Sequence, residues 1–445
     1  MPNATGQVRE REDGGHFGFP TKSVLDVLPL EILLLVLRHA SDEKLTILAC
    51  SLVSRSWREM SLPHLFSSLT IKRSFDYDDF IDFLASNPNL ARYVRELKLG
   101  HLPVQSSIFP DRTIRPTLTP TSLSRITTKL PRLQALVLRS VRLDAGDDSD
   151  AHPTIVPRRL KELTIDDCIV RRDLPVPLQV LFSILTAYPA NTISLLFLTL
   201  DYEVPFVPNT QHSGATAESI VKLEVESLVI KQAFSPTWPD SEAQLYDAFR
   251  QTLAPRCLRS LRAHASIHRP DSGALRILGD FFNHAGRDAL RYLELPFSIG
   301  QEVGPPESRP DHWRVLRLDK CPNLEFVKVT IILPAPVSLR ALHPPQVPLT
   351  TACIALMATL PRTLRTFALA LWYMDKARVN DGVWLNLGEL DEAVLTHFPS
   401  LEKVKIVLCA CGGWVECTER VLDVMVKCRQ RGILEVGPLD VIDYL

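Results

Sequence analysis

Residues 131–138 read Pro-Arg-Leu-Gln-Ala-Leu-Val-Leu, and this stretch decides the fold. The proline has no N–H to donate and its ring clashes with the preceding turn, so a helix before it must stop. Leu136 and Leu138 then alternate with Val137 and Arg139. Strand side chains point to opposite faces in turn, so this is a strand with one buried face. The same grammar returns outward along the chain. It appears at 157–165 (Pro-Arg-Arg-Leu-Lys-Glu-Leu-Thr-Ile), 257–263 (Cys-Leu-Arg-Ser-Leu-Arg-Ala) and 289–295 (Ala-Leu-Arg-Tyr-Leu-Glu-Leu). It appears again at 322–329, 361–369 and 399–406, each time opened by proline, and in weaker form at 95–99 and 223–230. Copies recur about every 27 to 40 residues. Between them lie helix-like stretches such as Leu123–Leu130 and Leu390–Phe398. One strand and one helix cannot bury an apolar face alone, so such units must stack on one another. The Pro-rich stretches Pro103–Pro120 and Pro334–Pro348 and the acidic stretch Asp144–Asp150 read as surface loops.

The N-terminal part follows another rule. Residues 1–22 are polar and charged and read as a mobile tail. Residues 23–70 predict a three-helix module, and 71–445 the strand–helix domain. The first helix runs from about Pro29 to Ala40, with Ile32, Leu33, Val36 and Leu37 at helical spacing. The second follows Ser41-Asp42, which suit an N-cap, and carries Leu45, Leu48 and Ala49. The third covers about Ser51 to Met60 and is closed by Pro63.

Leu28, Pro29, Glu31, Ile32 and Leu33 form a Leu-Pro-x-Glu-Ile-Leu signature. Leu45 follows, then Val-Ser-Arg-x-Trp at Val53, Ser54, Arg55 and Trp57, then Pro63, Leu65 and Phe66. This ordered pair of signatures resembles an F-box. F-box modules bind a Skp-family adaptor, which joins them to a cullin scaffold and a ubiquitin-conjugating enzyme. Leucine-rich repeats are a common companion domain. The resemblance therefore implies an α/β fold, with a three-helix F-box followed by a curved leucine-rich-repeat-like solenoid of one strand and one helix per repeat. It implies a non-catalytic substrate-recognition subunit of a ubiquitin ligase. A scaffold using the same module outside a ligase is the alternative. Leu28, Pro29, Ile32, Leu33, Leu45, Val53 and Trp57 are the adaptor-binding residues so implied, with the tryptophan as anchor.

Composition narrows the classes. Fifty basic residues against 51 acidic leave a net charge of -1, which gives no general attraction to nucleic acid or anionic membrane. No apolar run reaches the roughly 18 residues of a membrane span. Residues 1–20 lack the apolar stretch of a secretory signal, so the expected location is cytoplasm or nucleus. Nine cysteines without framework spacing read as reduced thiols. Cys409, Cys411, Cys417 and Cys428 do not match paired zinc-binding spacings, with only His397 nearby, and read as core and turn thiols. Cys168 and Cys321, each just past a strand, read as structural. No phosphate-binding loop, nucleophile elbow or metalloprotease motif is present, so no catalytic residue, metal or cofactor is expected.

If leucines face the core, the residues between them face out. Those are Lys98, Val137, Arg139, Thr164, Asp166, Arg262 and His264, then Tyr292, Glu294, Phe326, Lys328, Lys403 and Lys405. Arg139, Arg262, Tyr292, Lys328 and Lys405 are the candidate contacts to a protein substrate, and the recurring cations suggest an acidic or phosphorylated one.

Overall fold

A computed structural model describes residues 29–40, 43–72, 76–100, 115–145, 157–170, 177–200, 222–231, 240–263, 274–298, 314–332, 349–374, 379, 381, 385–410 and 413–438. The chain divides into two compact units, Met1–Ser67 and Ser68–Leu445. The N-terminal tail, Leu28, Cys411 and the stretch 334–348 lie outside the described residues, as does most of Pro103–Pro120 and of Asp144–Asp150.

The first unit holds α1 (Leu30–His39), α2 (Lys44–Ser51) and α3 (Arg55–Leu65). Leu33, Leu37, Ile47 and Trp57 form its core, with Ala40, Cys50, Met60 and Leu65 packed around them. Two boundaries differ from expectation. The third helix starts at Arg55 because Ser54, in extended backbone, takes the Trp57 N–H on its hydroxyl (3.3 Å) and so acts as the N-cap. Ser51 instead closes α2, donating its hydroxyl to the Leu48 carbonyl (2.6 Å). Pro63 lies inside α3 and does not close it. That late in the helix it removes one backbone bond, and the Phe66 N–H still reaches the Leu62 carbonyl (3.0 Å).

The second unit is α/β. Its strands are β1 (Ser68–Ile71), β2 (Glu96–Gly100), β3 (Thr117–Leu118), β4 (Ala135–Arg139), β5 (Arg142–Leu143), β6 (Leu160–Asp166), β7 (Ile169–Val170) and β8 (Ala190–Leu196). They continue as β9 (Thr199–Leu200), β10 (Ser227–Lys231), β11 (Ser260–Ala263), β12 (Tyr292–Ser298), β13 (Phe326–Ile332), β14 (Thr366–Met374), β15 (Lys403–Ala410) and β16 (Leu434–Pro438). Twelve of them make one parallel sheet, β1-β2-β4-β6-β8-β10-β11-β12-β13-β14-β15-β16, so every strand pairs with its neighbour in chain order. The very short β3, β5, β7 and β9 make a second parallel sheet. Every segment read as a strand from sequence is one; β1, β8, β16 and the short sheet were not anticipated.

Register explains the leucines. One column across the sheet runs Leu69, Leu97, Leu136, Leu163, Ile193, Leu228, Leu261, Leu293, Val327, Phe367, Val404 and Leu434. From Leu97 to Val404 these side chains are fully buried. They belong to one continuous core with apolar residues of the intervening helices, including Leu123, Leu181, Phe249, Phe281, Leu356 and Leu390. A helix does not fill every interval. Between β12 and β13 the described residues hold only two 3-10 turns, at 314–316 and Leu318–Lys320. Where β4, β6 and β8 end, Ser140, Asp167 and Phe197 all adopt left-handed backbone, turning the chain toward the short sheet. Gly100 occupies the matching place after β2 with φ of 112°, and a Cβ there would lie 1.8 Å from the Arg139 carbonyl oxygen. No other residue fits it.

The remaining helices used below are α4 (Asp76–Ser86), α5 (Pro88–Ala91), α6 (Pro120–Thr128), α7 (Pro177–Ala187), α8 (Asp240–Thr252), α9 (Ala274–Phe281), α10 (Leu349–Met357), α11 (Leu387–His397), α12 (Trp414–Val424) and α13 (Val426–Gln430). Asp391, a buried carboxylate on α11, accepts the backbone N–H groups of Lys427 (2.7 Å) and Cys428 (2.9 Å) and so caps α13 from a distance.

Candidate functional site

The helical unit is too small to hide its apolar residues. Each helix turns one narrow stripe inward: Leu33 and Leu37 on α1, Ile47 and Ser51 on α2, Trp57 and Ser61 on α3. The rest remains outside. Leu45 is 83% exposed and Leu52 80%, and Leu30, Leu34, Leu35, Val36, Leu48 and Val53 are all exposed as well. Leu45, Leu48, Ala49 and Leu52 share the side of α2 opposite Ile47. Large exposed apolar patches are uncommon on soluble monomers and are characteristic of interaction surfaces.

The seven residues expected at the adaptor surface therefore separate. Pro29, Ile32, Leu45 and Val53 are on the surface. Leu33 and Trp57 are in the core at 6% exposure each, and Leu28 lies outside the described residues. Trp57 is thus not an exposed anchor. It fills the centre of three short helices that have no other side chain of that volume inside. Leu30, Leu48 and Leu52 were missed; the unbroken apolar run 33–37 suggests a partner surface, and Leu34, Leu35 and Val36 of it are exposed. Leu48 and Leu52 continue from Leu45 at the spacing of a core stripe, and spacing alone does not say that the stripe points outward.

The face of the large sheet away from the leucines carries the second candidate. An open groove of about 360 Å³ runs over its first seven strands, with Val137, Thr164, Ser194 and Val229 along its floor and Arg139 and Arg262 on its wall. The outward positions fall where alternation puts them, apart from His264, which lies outside the described residues. Their cations, however, are already paired. The Arg139 Nε donates to Asp166 (2.6 Å), Lys98 meets Glu96 (3.2 Å), and both Lys403 and Lys405 reach Glu435. Burial pushes the Asp166 carboxyl above the usual range, and Arg139 offsets only part of that.

At mid-sheet Glu294 accepts from the Arg262 Nε (3.3 Å), the Lys328 Nζ (3.1 Å) and the Tyr292 hydroxyl (3.1 Å). Tyr292 stacks on Phe326, with centroids 4.6 Å apart, and Arg262 lies over the Tyr292 ring. Lys328 is buried to 7% exposure and belongs to this packed network, not to an open surface. The expectation of a broadly basic face for acidic or phosphorylated guests is corrected accordingly: partner carboxylates on the same or neighbouring strands cancel most of it. Among the candidate contacts, Arg139 and Arg262 line the groove, while Tyr292, Lys328 and Lys405 do not.

The cysteines are structural where described. Cys168, Cys321 and Cys353 are fully buried, and burial pushes each thiol up to about 12. Cys417 and Cys428 are buried in the same core, and Cys409 is partly exposed.

Comparison of the chain with curated proteins finds no match. Residues 25–105 match the family model described as the COS11 F-box domain (F-box_COS111). The matched span takes in α1, α2 and α3 and runs on through β1, α4, α5 and β2. An F-box domain implies a Skp1-type partner, and F-box proteins are generally non-catalytic adaptors. The match at residues 25–105 supports reading this chain as an F-box protein.

Proposed function

We propose that the protein is the substrate-recognition subunit of a Skp–cullin–F-box ubiquitin ligase. The observation that carries this reading is the helical unit, which spends four large side chains on its own core and leaves a leucine-rich surface uncovered. That surface, centred on Leu45, Leu48, Leu52 and Val53 with α1 residues beside it, takes the Skp-family adaptor. Through the adaptor the chain meets a cullin. Ser68–Leu445 is a leucine-rich-repeat-like solenoid in this reading, supported by a parallel sheet in strict chain order with apolar columns on one face. Its other face holds the protein substrate.

The subunit makes and breaks no bond. It acts by holding substrate beside an activated ubiquitin, which turns an encounter between two diffusing molecules into a local one. Cytoplasm or nucleus is the compartment this role requires. Tagged full-length chain is expected to co-purify a Skp-family adaptor and a cullin, and Trp57→Ala with Leu28→Ala to lose both by unmaking the helical unit. Adaptor without cullin would leave the non-ligase scaffold, and neither protein would refute the assignment.

A further inference from the structure

The end of the large sheet at which its strands begin carries a rim of charged turns. Over its later repeats the charges are matched between neighbours. Arg256 meets Asp288 (3.4 Å), Arg291 meets Glu325 (3.9 Å) and Arg365 meets Glu402 (3.8 Å). The turns that lead into β2, β4 and β6 break this rule. Residues 87–95, 128–134 and 157–161 hold five arginines, two lysines and no Asp or Glu. The near-zero net charge of the whole chain hides this patch, because the carboxylates lie elsewhere.

Backbone bonds seat the three turns side by side. The Gln134 N–H reaches the Arg95 carbonyl (2.7 Å), and the Lys161 N–H reaches the Gln134 carbonyl (2.7 Å). Arg158 turns inward and donates to the Thr127 and Leu133 carbonyls (2.9 and 3.4 Å), which fixes the third turn against the second. Arg159 is held by Glu224 (3.2 Å) and Asn191. Arg92 lies over the half-buried Tyr93 ring, 5.0 Å from its centroid, and donates to its hydroxyl (2.9 Å). Arg95, Lys129, Arg132 and Lys161 remain: all four are exposed, and their side chains make no hydrogen bond or ion pair among the described residues. The carboxylates next in sequence do not neutralise them. Glu96 and Glu162 line the groove on the outer face, where Glu96 meets Lys98 and Glu162 takes the Thr164 hydroxyl. Glu224 and Glu226, ahead of β10, bound the patch.

We infer that this rim binds single-stranded nucleic acid through its phosphate backbone, without regard to sequence. The site is separate from the adaptor surface and from the groove, and it does not depend on the ligase reading. From β2 to β6 is two strand spacings, about 10 Å, so the uncompensated cations stand close enough to meet successive phosphates of one strand. Arginine suits them, because its planar fork pairs phosphate oxygens two at a time. Tyr93 with Arg92 above it supplies a surface on which a base can stack, and every base has a face to offer. The rim presents little else. No large apolar side chain is exposed on these turns, so an acidic protein segment or a lipid surface would find nothing apolar to bury there. Repeated charge and one ring are what the rim recognises.

The test is a polarisation titration of the full-length chain with a labelled oligothymidylate of about twelve nucleotides, within the span of one single-strand site. Binding is expected near 10 µM at low salt, about the level of sequence-independent binding. Log K should fall against log salt with a slope of about −2 to −3, at about 0.7 for each of some three to four neutralised phosphates. Arg132→Gln with Lys161→Gln should weaken binding about tenfold and make the slope shallower by about 1.4. Tyr93→Leu should weaken it about fivefold and leave the slope as it was, because stacking releases no counterion. Arg259→Gln with Arg362→Gln, on later turns of the same rim, should change neither quantity. Circular dichroism checks that each variant keeps the fold. No binding at low salt, a slope near zero, or equal losses from the two charge pairs overturns the inference. Tighter binding of an oligoglutamate of equal length, or of phosphatidylserine vesicles, overturns the choice of nucleic acid. Capture of the Skp-family adaptor by the rim variants should equal that of the parent chain, and its loss with theirs would mean that the rim is not a separate site.

Discussion

Replacing Leu45 and Leu52 together by alanine should separate adaptor binding from folding. Leu45 is 83% exposed and Leu52 80%, so neither contributes much to the unit's own core. Leu→Ala removes three carbons, worth about 0.8 kcal/mol each when fully buried, or about 2.4 kcal/mol. Scaled by the exposed fraction that a partner would cover, each substitution costs binding about 2 kcal/mol. The pair then costs about 4 kcal/mol, near a thousandfold in Kd, if both leucines are buried at the interface. Folding stability should change by less than about 0.5 kcal/mol, as usual for surface positions. Leu33→Ala is the opposite control: at 6% exposure it should cost about 2–5 kcal/mol of stability and lose the adaptor only by unfolding. Calorimetric titration with a purified Skp-family adaptor and urea denaturation of the same samples read the two quantities. Affinity reduced less than fivefold, or a stability loss that tracks the affinity loss, would refute the reasoning, since either result means that the α2 surface is not the contact.

Three further outcomes are expected. Asp391→Ala should lower urea stability by about 3 kcal/mol, because it strips two charge-assisted bonds from buried backbone N–H groups; a loss under about 1 kcal/mol would mean that water replaces the carboxylate. With Cys168, Cys321 and Cys353 pushed up to about 12, roughly one thiol in ten thousand is ionised at pH 8. Native protein should then leave these three unmodified by a thiol-specific chromophore while urea releases all nine cysteines, and rapid labelling of Cys353 would contradict its burial. Asp166 is raised by burial, so the folded state holds its proton above pH 3.8 while the unfolded chain has released it. Its contribution to stability therefore falls as pH climbs from 3.8 through the folded value, and Asp166→Asn should flatten that part of the stability profile.

The parts of this molecule that were readable from sequence are those governed by short repeats. Leu136 and Leu138 declare a half-buried strand, and Leu97, Leu163 and Leu293 do so again, because a period of two is visible within five residues. Ser54 and Trp57 showed the start of a helix only in retrospect, since Ser51 offers the same capping chemistry three residues earlier. The outer face of α2 was read only in part: Leu45 was expected there through the resemblance, while Leu48 and Leu52 continue from it at the spacing of a core stripe, and only the smallness of the unit turns them to the surface. The ion pairs were hidden for another reason. Arg139 meets Asp166 across 27 residues of chain, and Lys328 meets Glu294 across neighbouring strands, so the pairs exist only once register is known. Counting cations along the chain saw half of each pair.

The chain-order sheet has a mechanical consequence. Each internal strand of the large sheet is zipped to one earlier and one later neighbour, and among the described residues no strand closes the sheet from far away in sequence. Tension applied to the C-terminus loads β16 first, and its backbone bonds to β15 are all that hold it in the ladder. Once β16 leaves, β15 becomes the edge and inherits the load. Such a sheet should unravel under force as a series of similar rips running toward β1, with released lengths set by the spacing between successive strands. The Asp391 bonds to α13 should make the first rip the hardest at that end, because α13 and β16 are consecutive along the chain.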